Sequence, residues 1–177
     1  MVGQLLRSET ESGVSNASST QALEGEISTF LMFGLGPQIY STNVSRVREI
    51  VDLVEIQQLP NAPHDVLGMI DLRKQSIPVI DLASRMQITS GSQDDARIIV
   101  FEFGSPKMLR LLGIVADRVL GVREIAPEMI ETLEHAVSGW KSDGVLGVIR
   151  SDDAQSLVIN IEHYLNVPDA PGDFDFE

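Results

Sequence analysis

Two aspartates that close apolar runs, three scattered histidines and one arginine at the end of a strand-like segment are the side chains in this 177-residue chain that invite a chemical reading. Paired carboxylates can divide acid and base roles in hydrolysis when a fold brings them to one cleft. Asp71 and Asp81 are the candidates, in Ile70-Asp71-Leu72 and Val79-Ile80-Asp81-Leu82. A carboxylate in such a place also bonds backbone amides of a turn or helix start. That structural role is the expectation, and an acid hydrolase using Asp71 and Asp81 is the remote alternative. His64, His135 and His163 show no i, i+4 spacing and no carboxylate pattern that would ligate zinc, and Cys is absent. No metal, cofactor or thiol chemistry is expected. Gly34-Leu35-Gly36 runs into Pro37, which removes an amide that a phosphate cradle needs, and Ser90-Gly91-Ser92 reads as a linker rather than a nucleophile turn. Arg73 remains. It follows an apolar strand where the chain must turn, and a guanidinium there can grip a carboxylate with two parallel hydrogen bonds. Glu49 is the candidate partner, and a solvated turn arginine is the equal alternative.

The elements that must position these residues read as short strands. Apolar runs of four to eight residues are broken by Gly, Pro, Asn and Asp, the pattern of an all-β domain. Residues 27–35 and 38–42 flank Gly36-Pro37 as one hairpin, and 98–103 and 109–116 flank Gly104-Ser105-Pro106-Lys107 as another. Further strands are expected at 66–72 and 77–82, and short helices only at 44–51, 82–86 and 161–165. An internal repeat organises the set. Val47-Arg48-Glu49-Ile50 recurs as Val122-Arg123-Glu124-Ile125, Val66-Leu67-Gly68-Met69-Ile70 as Val145-Leu146-Gly147-Val148-Ile149, and Gln75-Ser76-Ile77 as Gln155-Ser156-Leu157. The three matches keep their order at nearly equal separations. Two related halves, about 27–90 and 95–165, follow, each of them too small to be comfortable alone, so a shared core or exchanged strands are expected.

The formal charge is -13, and seven of those units lie outside the halves. Residues 1–26 hold one Arg against four Glu and are read as a disordered N-terminal tail; 166–177 hold four acids and no base and are read as an acidic C-terminal tail carrying Phe174 and Phe176. No run of Lys or Arg could neutralise several adjacent phosphates, so nucleic acid is not expected as a partner. No segment approaches the roughly 20 apolar residues of a membrane span. A cytoplasmic location is expected.

Leu59-Pro60-Asn61-Ala62-Pro63, Val66-Leu67-Gly68-Met69-Ile70-Asp71-Leu72-Arg73 and Ile77-Pro78-Val79-Ile80-Asp81-Leu82 closely resemble the core signature of the CheW-like family of bacterial chemotaxis coupling proteins. Val-Arg-Glu-Ile upstream and Val115-Ala116-Asp117-Arg118-Val119 downstream resemble it too, so the similarity spans about 27–165. It implies a mainly β domain of two intertwined, SH3-like five-stranded barrels with no enzymatic activity. It further implies an adaptor joining the cytoplasmic tips of chemoreceptors to the histidine kinase CheA at membrane-associated receptor arrays, or serving a parallel pathway such as pilus motility. By resemblance, Val47, Glu49 and Ile50 lie in a helical segment by a receptor-facing groove, with Gly68 and Arg73 around it and Arg73 paired to Glu49. A kinase-facing barrel edge would include Ile114, Val115 and Val119. Lys74 stands where the family usually has Gly, which suggests a positive φ at that point of the turn.

Overall fold

A computed structural model describes residues 26–133, 144–152 and 154–165; both expected tails, Glu26 apart, lie outside the described residues. The strands are β1 (Ser28–Leu35), β2 (Gln38–Asn43), β3 (Val47–Asp52), β4 (Val66–Leu72), β5 (Gln75–Ile80), β6 (Arg97–Ser105), β7 (Met108–Ala116), β8 (Arg118–Ile125), β9 (Ile130–Glu131), β10 (Val145–Arg150) and β11 (Gln155–Ile159). Two short helices, α1 (Leu82–Arg85) and α2 (Ile161–Leu165), each follow the last strand of a half.

The strands form a six-stranded sheet in the order β8-β1-β2-β11-β10-β9 and a five-stranded sheet in the order β3-β6-β7-β5-β4. When β6, β7, β8, β10 and β11 are matched to β1, β2, β3, β4 and β5, the two orders are the same, with β9 as an addition. Each sheet therefore takes two strands from one half and the remainder from the other. The limits 27–90 and 95–165 mark halves of the sequence and not separate barrels, because β3 leaves β1 and β2 to pair with β6, while β8 pairs with β1.

Burial follows this exchange. Along β6, Ile98 and Val100 enter a cluster with Ile70, Ile77 and Val79 inside the five-stranded sheet. The alternate residues Ile99, Phe101 and Phe103 enter a larger core between the sheets with Leu31, Phe33, Leu35, Leu82, Ile114 and Ile161. Period two with both faces apolar is what a strand covered on two sides requires. The six-stranded sheet has its own cluster of Phe30, Ile125, Ile130, Ile149 and Val158. Both sheets curl: Val51 of β3 and Leu72 of β4, on opposite edges, pack against one cluster.

The helix expected over 44–51 is instead a single 3-10 turn, Val44–Arg46, leading into β3. Asn43 caps that turn by accepting from the Ser45 amide at 2.8 Å. Beyond it, Val47, Ile50 and Val51 favour extended backbone, and the open edge of β6 supplies the ladder.

Two charged side chains fasten the connections. Asp117 is buried, and its Oδ2 accepts the amides of Gly36 and Gly91, each at 2.6 Å, joining the β1–β2 turn, the segment between the halves and the β7–β8 junction. A Cβ on Gly36 would lie 2.5 Å from the Thr89 carbonyl, so a glycine is needed for that approach. Arg85 donates from Nε to Asp65 at 2.7 Å and from Nη1 to the Tyr164 carbonyl at 2.8 Å, tying the start of β4 to α2.

The Arg85 hydrogen bond is the main reason that the Asp65 carboxyl is held below its ordinary range. A carboxyl with a depressed native pKa adds stability above its unfolded pKa and loses it as the pH falls through the native value. Asp65→Asn should therefore cost roughly 1 kcal/mol at neutral pH. In denaturant melts across pH, the wild-type advantage should shrink progressively below about pH 5.

Candidate functional site

The residues singled out from the sequence converge at the two edges of the five-stranded sheet. β3 forms one edge and β4 the other. Val47 stands opposite Phe101, and Glu49 opposite Val100, so Arg48 is an extra residue, a bulge. The bulge changes which residues match between the halves. Val47 and Val122 occupy equivalent places, opposite Phe101 and Leu31, but beyond the bulge Val51 takes the place of Ile125 in the sheet interior. Ile50 is turned to the other face, opposite Ile99 of the inter-sheet core, and is 40% exposed there at the sheet edge. Val47, on the same face, is half-buried against that core.

Glu49 faces the opposite way, toward the mouth of the curled sheet. There the Arg73 guanidinium donates from Nη1 to Oε1 at 3.2 Å and from Nη2 to Oε2 at 2.9 Å. This two-point pair closes the rim between β3 and the β4–β5 hairpin. Arg73 and Lys74 are the two central residues of that hairpin, between Leu72 and its partner Gln75, and both have positive φ, 50° and 66°. Such a mirror-image turn matches the twist of the strands but favours Asn and Gly at its centre. Lys74 therefore stands in the left-handed region, where a glycine would be unstrained.

Gly68 lies away from the ion pair and acts on a different feature. Its φ is +145°, and a Cβ there would lie 2.1 Å from the Gln57 carbonyl. Gln57 and Met69 exchange two backbone hydrogen bonds of 2.8 Å, holding the β3–β4 loop against β4. Glu131 of β9 meets Val148 of β10 in the corresponding way beside Gly147. The loop carries exposed Leu53, Val54 and Leu59, following exposed Ile50 of β3. Sequence reasoning missed the loop residues. The signal was the apolar pair Leu53-Val54 persisting past the strand into acidic Glu55.

The expected kinase-facing set is corrected in part. β7 lies inside the five-stranded sheet, and Ile114 is fully buried in the inter-sheet core, so it offers a partner no surface. Val115 packs partly against the five-stranded cluster. Only Val119 lies on an edge strand, β8, half-buried, with Leu120 and Val122 exposed beside it.

Asp71 and Asp81 do not meet. Asp71 pairs with Ser76, and Asp81 lies beyond the far end of β5, about 16 Å away at strand rise. Asp81 accepts the Ser84 amide at 3.0 Å as the cap of α1. The hydrolase alternative has no dyad. No group of three His, Asp or Glu among the described residues is arranged for a metal ion, and no helix there is long and apolar enough to cross a membrane.

Comparison with known proteins agrees with this geometry. The family model described as "CheW-like domain" matches residues 29–169. The chemotaxis protein CheW of Treponema pallidum is 26% identical over 145 residues, covering 79% of this chain and 83% of that protein. The chemotaxis protein CheW of Klebsiella aerogenes is 27% identical, covering 77% and 81%. The crystal structure of the scaffolding protein TtCheW from Thermoanaerobacter tengcongensis superposes with a TM-score of 0.67 at 30% identity, covering 80% of this chain and 94% of that one.

Two outcomes follow from the rim. Lys74→Gly relieves a left-handed residue and should raise the unfolding free energy by about 0.5–1 kcal/mol in chemical denaturation, although glycine gives part of the gain back through the unfolded chain. Arg73→Glu should cost up to about 1 kcal/mol through repulsion of Glu49, and the reversed pair, with Glu49→Arg added, should recover part of it. No recovery in the double variant would show that the two side chains do not act on each other.

Proposed function

Because the chain belongs to the CheW-like domain family, we propose that it is a non-enzymatic chemotaxis scaffold that couples the cytoplasmic tips of chemoreceptors to the histidine kinase CheA. The observation that carries this reading is a pair of sheet edges, β3 and β8, each bearing exposed apolar side chains on a domain whose other apolar side chains are largely packed into three cores. Scaffolds need two separable surfaces, and contiguous exposed apolar groups mark such contacts.

The β3 edge suits a helical receptor tip. Val47 and Ile50 lie on the face turned to the inter-sheet core, exposed Leu53 and Val54 follow them along the chain, and the Glu49–Arg73 pair gives its rim a charged feature that would fix orientation. Gly68 acts indirectly, by letting the loop sit close to β4. The β8 edge, with Val119, Leu120 and Val122, suits the kinase. Neither surface presents catalytic machinery. Individual contacts are expected to be weak, and an array of linked contacts supplies avidity.

A titration of the full chain with a receptor-tip fragment and with the CheA regulatory domain tests both assignments. Ile50→Asp should weaken tip binding about tenfold or more and leave kinase binding unchanged, whereas Val122→Asp should do the reverse. A well-folded protein that binds neither fragment would refute the scaffold function; exchanged effects of the two variants would refute the assignment of partners to edges.

A further inference from the structure

The two sheets correspond strand by strand, and the correspondence reaches the mouth of each. In the five-stranded sheet Val47 and Glu49 stand opposite Phe101 and Val100, and in the six-stranded sheet Val122 and Arg123 stand opposite Leu31 and Phe30. Val100 and Phe30 each belong to the cluster inside their own sheet, so Arg123 holds the place of Glu49 on the mouth face. The hairpin turns correspond as well. Gly68 faces Val79 and Ile70 faces Ile77, while Gly147 faces Val158 and Ile149 faces Ser156. Carried on at the same offset, the ladder sets Ser151 and Ala154, which exchange backbone hydrogen bonds of 2.9 and 3.4 Å, in the places of Leu72 and Gln75. Asp152 then holds the place of Arg73. This register is one residue away from the sequence match of Gln75 with Gln155.

Acid and base have therefore changed places between the halves, and the second pair is not closed. Aspartate is one methylene shorter than glutamate, so Arg123 and Asp152 together have less reach across the mouth than Glu49 and Arg73. Among the described residues Arg123 is the one arginine without a bond. Six others are paired to carboxylates, Arg118 donates to the Gly36 carbonyl, and Arg110 has a partner too. The guanidinium is exposed at the sheet edge, and Gly121, two residues before it, leaves room: a Cβ there would meet nothing within 4 Å.

On the reading that the β8 edge receives the kinase, we propose that Arg123 is the specificity-determining charge of that contact, taking an Asp or Glu carboxylate of the kinase regulatory domain. The first half supplies the partner of Arg73 from its own chain; the second half leaves the equivalent place to a carboxylate from outside. A planar fork of donors with no acceptor beside it, in a protein of net charge -13, is complementary to that group. Val122 and Arg123 flank the edge from opposite faces, and a partner that grips the edge meets both. The reversed order of charge also separates the partners. An acid placed to meet Arg123 at β8 would meet Glu49 at the equivalent point of β3.

Titration of the CheA regulatory domain against the full chain in ~0.05 and ~0.5 M salt tests this. Arg123→Gln should weaken binding about threefold and Arg123→Glu about tenfold at the lower salt, with most of the difference lost at the higher. Both variants should keep the wild-type denaturation midpoint and the wild-type affinity for a receptor-tip fragment. Asp152→Asn should not weaken kinase binding. Among Asp→Lys and Glu→Lys variants of the regulatory domain, at least one should bind Arg123→Glu more tightly than it binds wild type. Kinase binding untouched by Arg123→Glu, or a charge-reversal set without one such rescue, would overturn the proposal, and a loss of binding in Val122→Asp would then leave the scaffold assignment standing. Equal losses for Arg123→Gln, Asp152→Asn and the double variant would overturn it as well, making Arg123 a latch within its own chain. Wild-type protein that does not bind the regulatory domain at all removes the β8 assignment and this inference together, a failure visible before any variant is made.

Discussion

The third strand of each half does not stay with its first two. β2 and β7 have their second neighbour in β11 and β5, and β3 and β8 cross to the opposite sheet, where they pair with the outer edges of β6 and β1. The exchange makes the rest of the fold interdependent. The inner faces of β1 and β6 are brought together as the largest core, with α1 and α2 closing it through Leu82, Ile161 and Leu165. A half by itself would expose that surface, which explains why duplication here gives one cooperative unit instead of two small domains.

Crossing also determines which strands are left as edges. Strands that have crossed become edges, with unpaired backbone and one apolar face emerging from between the sheets. In β3 the Arg48 bulge re-aims the strand, sending Val51 inward, Ile50 outward and Glu49 to the rim. In β8 the irregularity lies elsewhere, between the partners of Met32 and Phe33, and Leu120 and Val122 face water instead. Two edges that share a four-residue motif, at the start of β3 and at the end of β8, therefore present different surfaces.

The repeat and the hairpins were legible because each depends on residue type at a fixed spacing, whereas the residues alone left Arg73 as readily solvated as paired and the family resemblance pointed to Glu49. Register was not. A bulge adds one residue to a strand without altering its composition, so the alignment of Val47-Arg48-Glu49-Ile50 with Val122-Arg123-Glu124-Ile125 holds in sequence while the faces diverge. The helix expected across residues 44–51 failed for a related reason, since its β-branched residues find an open strand edge only after the chain has crossed. Ile114 looked like a surface residue because an apolar strand reads alike at an edge and in the middle of a sheet. Asp117 and Arg85 gave no local signal at all, because their partners lie far away along the chain.

The rim ion pair is easily mistaken for a stabilising device. Arg73 is 74% exposed in its side chain, and an exposed pair contributes about 0.5 kcal/mol. Two left-handed residues without glycine or asparagine cost more than that, on the order of 1 kcal/mol each. The turn is retained because Leu72 must face Gln75 for Ile70 and Ile77 to enter the same cluster, a register that a longer loop would slip. The arginine on this turn then brings its fork to Glu49. Its contribution is to tie the β3 edge to the β4–β5 hairpin at the mouth of the curled sheet, and under the proposed scaffold function that is a contribution to orienting a partner more than to folding.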